Sequence, residues 1–175
     1  MHFARLFSFC PVCGSSHFKI NNQKSKRCDN CGFVMYTNAA AAVAVFILNN
    51  KDELLVCVRG KEPVKGTLDL PGGFVDEYET AEQTVVREIK EELNAEVIEA
   101  KYLFSLPNDY LYSGWTIETL DLFFAAKIKT DSEIKPADDV ADCFFIPLKD
   151  LNPDLFGLKS IKKAISIYKN KFEIA

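Results

Sequence analysis

Three glutamates in one predicted helix are the residues of this chain best suited to do chemistry. On a helix that turns by about 100° per residue, Glu88, Glu91 and Glu92 share an arc of roughly 100°. Glu92 falls inside the apolar stripe of that helix, so a solvated surface explains it poorly, although it would explain Glu91 taken alone. Carboxylates this close repel unless a cation compensates them, and hard divalent cations accept several carboxylate oxygens. The spacing therefore predicts a site for Mg²⁺ or Mn²⁺.

Two glycines lie in the loop that precedes the predicted helix, which we call the glycine loop. Gly72 and Gly73 allow the backbone to approach a phosphate group closely, as glycine-rich loops do in other phosphate sites. A divalent metal beside a phosphate chain can neutralise it, orient it and activate water. The glycines and the carboxylates together indicate hydrolysis of a pyrophosphate linkage.

Four cysteines near the N-terminus form a second candidate site. They lie in two C-x-x-C pairs, Cys10 with Cys13 and Cys28 with Cys31, and fourteen residues separate the pairs. Each pair can place two thiolates on one tetrahedral metal, and the glycine after each pair lets the backbone turn beneath the sulfurs. The spacing predicts a structural Zn²⁺ ion. Four reduced structural cysteines or a redox pair are the alternatives.

Hydrophobic periodicity supplies the elements that must position these residues. Apolar runs at 41–48 and 54–58 predict two adjacent strands, linked most simply as a hairpin. Thr80 and Gln83 match a capping box, and apolar residues every four positions then predict a helix of about fourteen residues. An amphipathic helix closes the chain, and further strand-like segments lie near 97–105, 120–128 and 143–146. This order indicates an α/β fold in which helices cover a mixed sheet.

Composition divides the chain and limits its partners. The first 36 residues hold four of the six cysteines and few aliphatic side chains, so we expect a zinc module at 1–36 and a larger domain at 37–175. The chain has 21 basic and 25 acidic residues, and its net charge of −4 disfavours extensive binding of nucleic acid. No apolar stretch has the length of a signal sequence or a membrane span, so we expect a cytoplasmic protein. The sequence is compatible with a homodimer.

The glutamate segment resembles the Nudix box, G-x5-E-x7-R-E-U-x-E-E-x-G-U, in which U is an aliphatic residue. The last two positions differ, because Asn94 replaces glycine and Ala95 replaces a larger aliphatic residue. Asparagine is the next best residue for a left-handed helix C-cap, so we expect these departures to be tolerated. The chain agrees with the motif at Gly73, Glu79, Arg87, Glu88, Ile89, Glu91 and Glu92.

The resemblance implies the α/β/α sandwich of the Nudix family and a role for each polar residue of the box. Glu88, Glu91 and Glu92 would hold the metal, and Glu91 would also serve catalysis. Glu79 and Arg87 would orient the site, Arg87 through a charge-assisted hydrogen bond within the box.

The water nucleophile also needs a base, which in this family often comes from outside the box. Asp139 is our hypothesis, because the sheet order could bring its acidic turn beside the helix. The alternatives are Asp138, Asp142, Glu118 and Glu91.

The cysteine module resembles the zinc ribbon that precedes the Nudix domain in NADH pyrophosphatases and related ADP-ribose or ADP-sugar pyrophosphatases. The NADH group also carries an S-Q-P-W-P-F-P-like stretch after the box, of which this chain keeps only Ser105 and Pro107. An aromatic-rich segment at 102–115 offers faces for stacking on a base, with Tyr110 as the candidate, and core packing or a dimer contact explains it equally well. Arg59, at a strand end facing the glycine loop, is a candidate phosphate ligand.

These inferences predict a Mg²⁺-dependent pyrophosphohydrolase. Its substrate would be a nucleoside diphosphate joined to another group, such as ADP-ribose, an ADP-sugar or NADH, and a nucleoside monophosphate would be released. Two interpretations compete with this one. A Nudix-like domain could sense a nucleotide as part of a regulator, or the enzyme could sanitise damaged nucleoside triphosphates.

Overall fold

The computed structural model describes residues 6–129 and 133–172. The first five residues of the expected 1–36 module and the last three of the 37–175 domain lie outside the described residues. The strands are, in order, β1 (Phe18–Asn22), β2 (Ser25–Cys28), β3 (Val34–Tyr36), β4 (Ala40–Ile47), β5 (Glu53–Arg59), β6 (Leu68–Asp69), β7 (Val97–Tyr112), β8 (Trp115–Ile128) and β9 (Val140–Pro147). The two α-helices are α1 (Ala81–Leu93) and α2 (Lys159–Phe172).

The N-terminal strands form a small sheet of their own. β1, β2 and β3 pair antiparallel in that order. Beneath them lies a core of few residues, in which Phe18 is buried with Cys10 and Cys28. So small an apolar core stabilises little by itself.

The larger part of the chain has two three-stranded sheets. β4 pairs parallel with β8, and β8 pairs antiparallel with β7, so the first sheet is mixed. β5 pairs antiparallel with both β6 and β9 in the second sheet. Both sheets lie between the helices, because alternate residues of β4 and β5 face opposite clusters. Val45 and Leu55 lie in the cluster with α1, and Phe46 and Leu54 in the cluster with α2. The expected α/β/α sandwich is confirmed.

The predicted hairpin of β4 and β5 is wrong. The two strands lie in different sheets, and the turn between them is closed by an isolated bridge of Leu48 with Leu54. The edge of β4 that a hairpin would use is already occupied, because the amides of Val43 and Val45 donate to carbonyls of the glycine loop at 2.8 and 2.9 Å. A strand edge satisfied by a loop has no further groups to offer a neighbour.

Helix α1 begins and ends as its sequence predicts. Thr80 caps the N-terminus, and its hydroxyl accepts from the amide of Gln83 while the Gln83 side chain accepts from the amide of Thr80. The helix has 13 residues, against about fourteen expected, and Asn94 ends it in the left-handed conformation at φ 53°. Within the described residues, neither helix has the length and apolar character needed to cross a membrane.

Candidate active site

The glycine loop is held against strand β4 so closely that Gly72 cannot be another residue. Its φ is +143°, a conformation that L side chains rarely adopt. A Cβ atom there would lie 2.2 Å from the carbonyl oxygen of Val43. The backbone of the glycine loop therefore has a fixed position at the edge of the cleft.

Gly73 is required for a different reason. A Cβ atom at this position would lie 2.3 Å from Oε1 of Glu88. The Glu88 carboxylate thus occupies the space that a side chain would need, and the loop and α1 meet at this contact. Burial raises the pKa of Glu88, and the hydrogen bond from Arg87 opposes that shift.

Arg87 connects three carboxylates of the segment. Its Nε donates to Oε1 of Glu79 at 2.8 Å, and its Nη1 donates to Oε1 of Glu88 at 2.8 Å and to Oε2 of Glu91 at 3.1 Å. Its Nη2 reaches the carbonyl of Phe74 at 3.0 Å. The hydrogen bond from Arg87 lowers the pKa of Glu79 to about 2, so Glu79 is ionised near neutrality. Arg87 thereby fixes the loop relative to the helix.

Glu92 is the most buried of the glutamates, with 6% of its surface exposed. Its Oε2 accepts a hydrogen bond of 2.9 Å from the amide of Gly72. Burial raises its pKa to about 8, and the neighbouring carboxylates Glu88, Asp69 and Asp139 contribute in the same direction. Within the described part of the chain, the ion pairs of the helix involve Glu88 and Glu91 and leave Glu92 without a cation.

Glu88, Glu91 and Glu92 line one cleft of about 280 Å³, together with Asp138 and Asp139. The donors are all carboxylate oxygens, which suit a hard divalent cation such as Mg²⁺. Among the described residues only the cysteine cluster gathers at least three potential ligand atoms within 4.8 Å of one another. Convergence of Glu88, Glu91 and Glu92 on one ion would require their side chains to rotate and some of the hydrogen bonds from Arg87 to break.

The acidic turn that holds Asp139 lies beside α1, as the sequence hypothesis required. The amide of Ala137 donates to the carbonyl of Glu92 at 2.9 Å, and the amide of Gly60 donates to that of Asp139 at 2.7 Å. Lys61 contacts both Asp138 and Asp139. The two other candidate bases outside the box, Asp142 and Glu118, are exposed and not among the residues lining the cleft.

The two candidate substrate ligands outside the box also line the cleft. Nη1 of Arg59 donates to Oδ2 of Asp69 at 2.6 Å, and its Nη2 lies 3.4 Å from the hydroxyl of Tyr110. Arg59 is therefore already paired with a buried carboxylate. The ring of Tyr110 stands edge-on to Phe74, with centroids 5.3 Å apart. Tyr102, Tyr112 and Trp115 are about half exposed, Phe104 packs against the core beside α2, and none of the four lines the cleft.

Sequence reasoning missed the inner polar residues of the cleft. Besides Asp69, these are Asn108, Thr119 and Asp121, and all are buried. The alternation of β8 held a signal for two of them, because Thr119 and Asp121 fall on the face that carries Phe123 farther along the strand.

The four cysteines form a compact cluster, as their spacing predicts. Sγ of Cys10 lies 3.7 Å from that of Cys31, and Sγ of Cys13 lies 3.6 Å from that of Cys28. Sulfurs bound at ~2.3 Å to one tetrahedral ion lie about 3.8 Å apart, so the cluster fits Zn²⁺. Hydrogen bonds from the backbone of Ser15 and from other neighbours lower the pKa of Cys13 to about 6, which favours the thiolate. Gly14 and Gly32, which follow the two C-x-x-C pairs, both have positive φ, as expected.

Known proteins resemble this chain in sequence and in fold. It is 28% identical over 151 residues to the NAD-capped RNA hydrolase NudC of Deinococcus radiodurans, with 85% of this chain and 52% of that protein covered. A solved NUDIX hydrolase from Nitrosomonas europaea shares 22% identity at a TM-score of 0.73, covering 94% of this chain and 92% of its own. The NUDIX domain of Shewanella oneidensis NrtR, solved with ADP ribose, shares 20% identity at a TM-score of 0.60, with 80% and 91% covered.

The chain spans about half the length of the curated relatives it matches. The family model of the NUDIX domain matches residues 38–165, which include the glycine loop, α1 and every strand of the two larger sheets. The chain therefore belongs to the NUDIX domain family.

Proposed function

We propose that this protein is a Mg²⁺-dependent or Mn²⁺-dependent pyrophosphohydrolase that acts in the cytoplasm. The observation that carries the proposal is Glu92, a buried carboxylate whose only hydrogen-bond partner among the described residues is the amide of Gly72. A buried carboxylate without a cation is costly, and a divalent metal would offset that cost. A metal bound by Glu92 would lie beside the glycine loop, whose backbone can approach a phosphate closely.

The residues of the box would have two roles, binding the metal and keeping the loop aligned with the helix. Glu88, Glu91 and Glu92 would bind the metal, which when present supplies charge neutralisation at the phosphate oxygens and an acidified water. Arg87 and Glu79 keep the loop and helix aligned through their charge-assisted pair. The backbone of Gly72 and Gly73 faces the pyrophosphate without a side chain in between.

Asp139 is the proposed general base. Its turn is tied to the last turn of α1, and its carboxylate lines the same cleft as the glutamates. Lys61 holds it in place from the solvent side. Asp138 and Glu91 line the cleft as well and are the remaining alternatives.

The proposed substrate is a nucleoside diphosphate joined to another group, such as ADP-ribose, an ADP-sugar or NADH. Support comes from the NudC relatives, whose name refers to an NAD cap, and from the solved NrtR domain with ADP ribose. The inner cleft also offers an aromatic ring, Tyr110, to a base or sugar. Cleavage between the phosphorus atoms would release a nucleoside monophosphate.

The name of the relatives raises a second candidate, an RNA that carries an NAD cap. The reacting pyrophosphate would be the same, and the two candidates differ only in what extends beyond the cleft. The net charge of −4 favours the small molecule.

The test is a substrate panel with Mg²⁺, in which ADP-ribose, an ADP-sugar, NADH, NAD-capped RNA and nucleoside triphosphates compete. We expect AMP among the products, with one oxygen from labelled water in a product phosphate. Glu92→Gln should lose turnover, whereas Glu82→Gln on the exposed side of α1 should keep it. A kcat/KM at least ~10-fold higher for a triphosphate than for every diphosphate would support the sanitiser instead. Tight binding without turnover would support the regulator.

We also propose that residues 1–36 form a zinc ribbon and residues 37–175 the hydrolase domain. Cys10, Cys13, Cys28 and Cys31 would hold one Zn²⁺, supported by their mutual approach within 4.8 Å. The metal would add to the small hydrophobic core beneath β1 to β3.

A further inference from the structure

The inner end of the cleft is a polar floor made by the strands β7 and β8. Asn108 of β7 lies opposite Thr119 of β8, and Asp121 follows two residues later on the same face. Only 7%, 3% and 6% of these residues is exposed. The proposed metal site and this polar floor belong to one cleft.

Two hydroxyl groups hold the Asp121 carboxylate in place. Oγ1 of Thr119 donates to its Oδ1 at 2.6 Å, and Oγ of Ser160, on α2, donates to its Oδ2 at 2.5 Å. Within the described residues no lysine or arginine pairs with it, since the buried cation nearby, Arg59, bonds to Asp69. Each carboxylate oxygen can still accept a further hydrogen bond, so this end of the cleft favours a group that donates.

Asn108 is the buried residue whose hydrogen bonding is incomplete. Its Oδ1 is buried and has no hydrogen-bond partner among the described residues. Folded proteins rarely leave a buried acceptor unmatched, and such a group indicates a partner that is missing. Since Asn108 lines the cleft, a rotation of its side-chain amide would present this oxygen to a ligand there, which would supply the partner.

The walls around this end of the cleft suit a flat ring. Ala42 and Ala44 of β4 pair with Asp121 and Phe123 of β8 and carry only methyl groups, and Leu70, Leu158 and Ile161 add apolar side chains to the lining of the cleft. A heterocyclic base has apolar faces and a polar edge, and this slot has apolar sides and a polar end. A sugar, which carries hydroxyls on several sides, would leave most of them facing these aliphatic side chains.

We propose that Asn108 reads the amino-bearing edge of an adenine base in the substrate, with Asp121 beside it. The amide Oδ1 would accept from the exocyclic amine while Nδ2 donates to the ring nitrogen N7, the bidentate pairing that an asparagine makes with adenine. Asp121 can accept the second amine hydrogen. The inference rests on the proposed function, because it assumes that the pyrophosphate lies at the glutamates.

The exocyclic amine of adenine would let this site distinguish adenine from hypoxanthine. Hypoxanthine carries a carbonyl oxygen beside N7 where adenine carries the amine, so this edge offers two acceptors and Oδ1 would stay unmatched in either orientation of the amide. A site built to hydrogen-bond a donor rejects an analogue that lacks it. We expect wild-type kcat/KM for ADP-ribose to exceed that for inosine diphosphate ribose by at least ~10-fold.

The decisive measurement is this ratio in Asn108→Leu, which keeps the side chain's size and removes its hydrogen bonds. We expect the ratio to fall to within about threefold of one, while the exposed control Asn50→Leu keeps the wild-type ratio. A loss of activity that is equal for both substrates would show a purely structural role and overturn the inference. So would a wild-type enzyme that does not distinguish them.

Binding of AMP and IMP to the wild-type protein, measured by calorimetry, tests the inference without turnover. We expect AMP to bind at least ~10-fold more tightly, and equal affinities or no binding of either would overturn the reading of the base. If triphosphates prove to be the substrates while AMP still binds more tightly than IMP, the proposed function fails and the base-reading site stands.

Discussion

Replacing Glu92 with glutamine should stabilise the protein in the absence of Mg²⁺, although it should abolish turnover. Glu92 is buried, and burial raises its pKa to about 8 from the ordinary value of 4.5. The folded protein therefore binds this proton more tightly than the unfolded chain does. Glutamine has nearly the same shape, can still accept the hydrogen bond from the amide of Gly72, and carries no charge that must be desolvated.

The size and sign of the effect follow from proton linkage. A carboxyl with a raised folded pKa contributes its full stability below pH 4.5, and that contribution is lost as pH rises towards 8. At about 1.4 kcal/mol per pH unit, keeping the proton on Glu92 in the folded state, when the unfolded chain would release it, costs the wild type about 3 kcal/mol at pH 7. Glu92→Gln should therefore be more stable than the wild type by about 3 kcal/mol at pH 7 and by about 1 kcal/mol at pH 5.

The assay is urea unfolding in Mg²⁺-free buffer without a chelator, so that zinc stays bound. The chain has a single tryptophan, Trp115, which lies in β8 and reports on the larger part of the chain and not on the cysteine module. Glu82→Gln is the control on the exposed side of α1 and should match the wild type at both pH values. A Glu92→Gln protein that is less stable than the wild type at pH 7, or whose advantage is the same at pH 5, would refute the reasoning.

Three further substitutions test the remaining parts. Cys28→Ser should reduce bound zinc well below one equivalent and expose residues 6–36 to proteolysis while Trp115 fluorescence stays native; a full zinc complement would contradict the ribbon assignment. Asp139→Asn should lower kcat by about 10²-fold and Asp142→Asn by less than threefold, and equal rates for both would exclude Asp139 as the base. Gly73→Ala should cost about 1–3 kcal/mol of stability and most of the activity, because its Cβ would lie 2.3 Å from Oε1 of Glu88; unchanged unfolding would mean that Glu88 moves freely.

The sequence predicts those parts of the structure that depend on local chemistry. Thr80, Gln83 and Asn94 define the ends of α1 through hydrogen bonds to their near neighbours, so a local pattern suffices. The cysteine cluster follows equally well, because the two fixed C-x-x-C spacings leave the four sulfurs little freedom. The buried position of Glu92 follows from helical periodicity alone.

Pairing between distant segments could not be predicted in the same way. The edge of β4 accepts the glycine loop instead of β5, and no local signal distinguishes these two partners. The hairpin of β7 and β8 extends well beyond the predicted strands. Its outer part at 109–118 is not predicted as strand because it is largely exposed and lacks a hydrophobic pattern. Asn108 enters the cleft through this pairing, which explains why the sequence did not mark it.

The attachment of the 135–137 segment to α1 has a consequence for how related chains can differ in length. The amides of Lys135 and Ala137 donate to the carbonyls of Leu93 and Glu92, so the chain leaves the helix at Asn94 and returns to the same turn some forty residues later. Insertions or deletions at the far tip of the intervening hairpin leave both ends of this closed loop in place. The distance between the glutamates and Asp139 is thus independent of hairpin length, and evolution can reshape the substrate end of the cleft without retuning its acidic end.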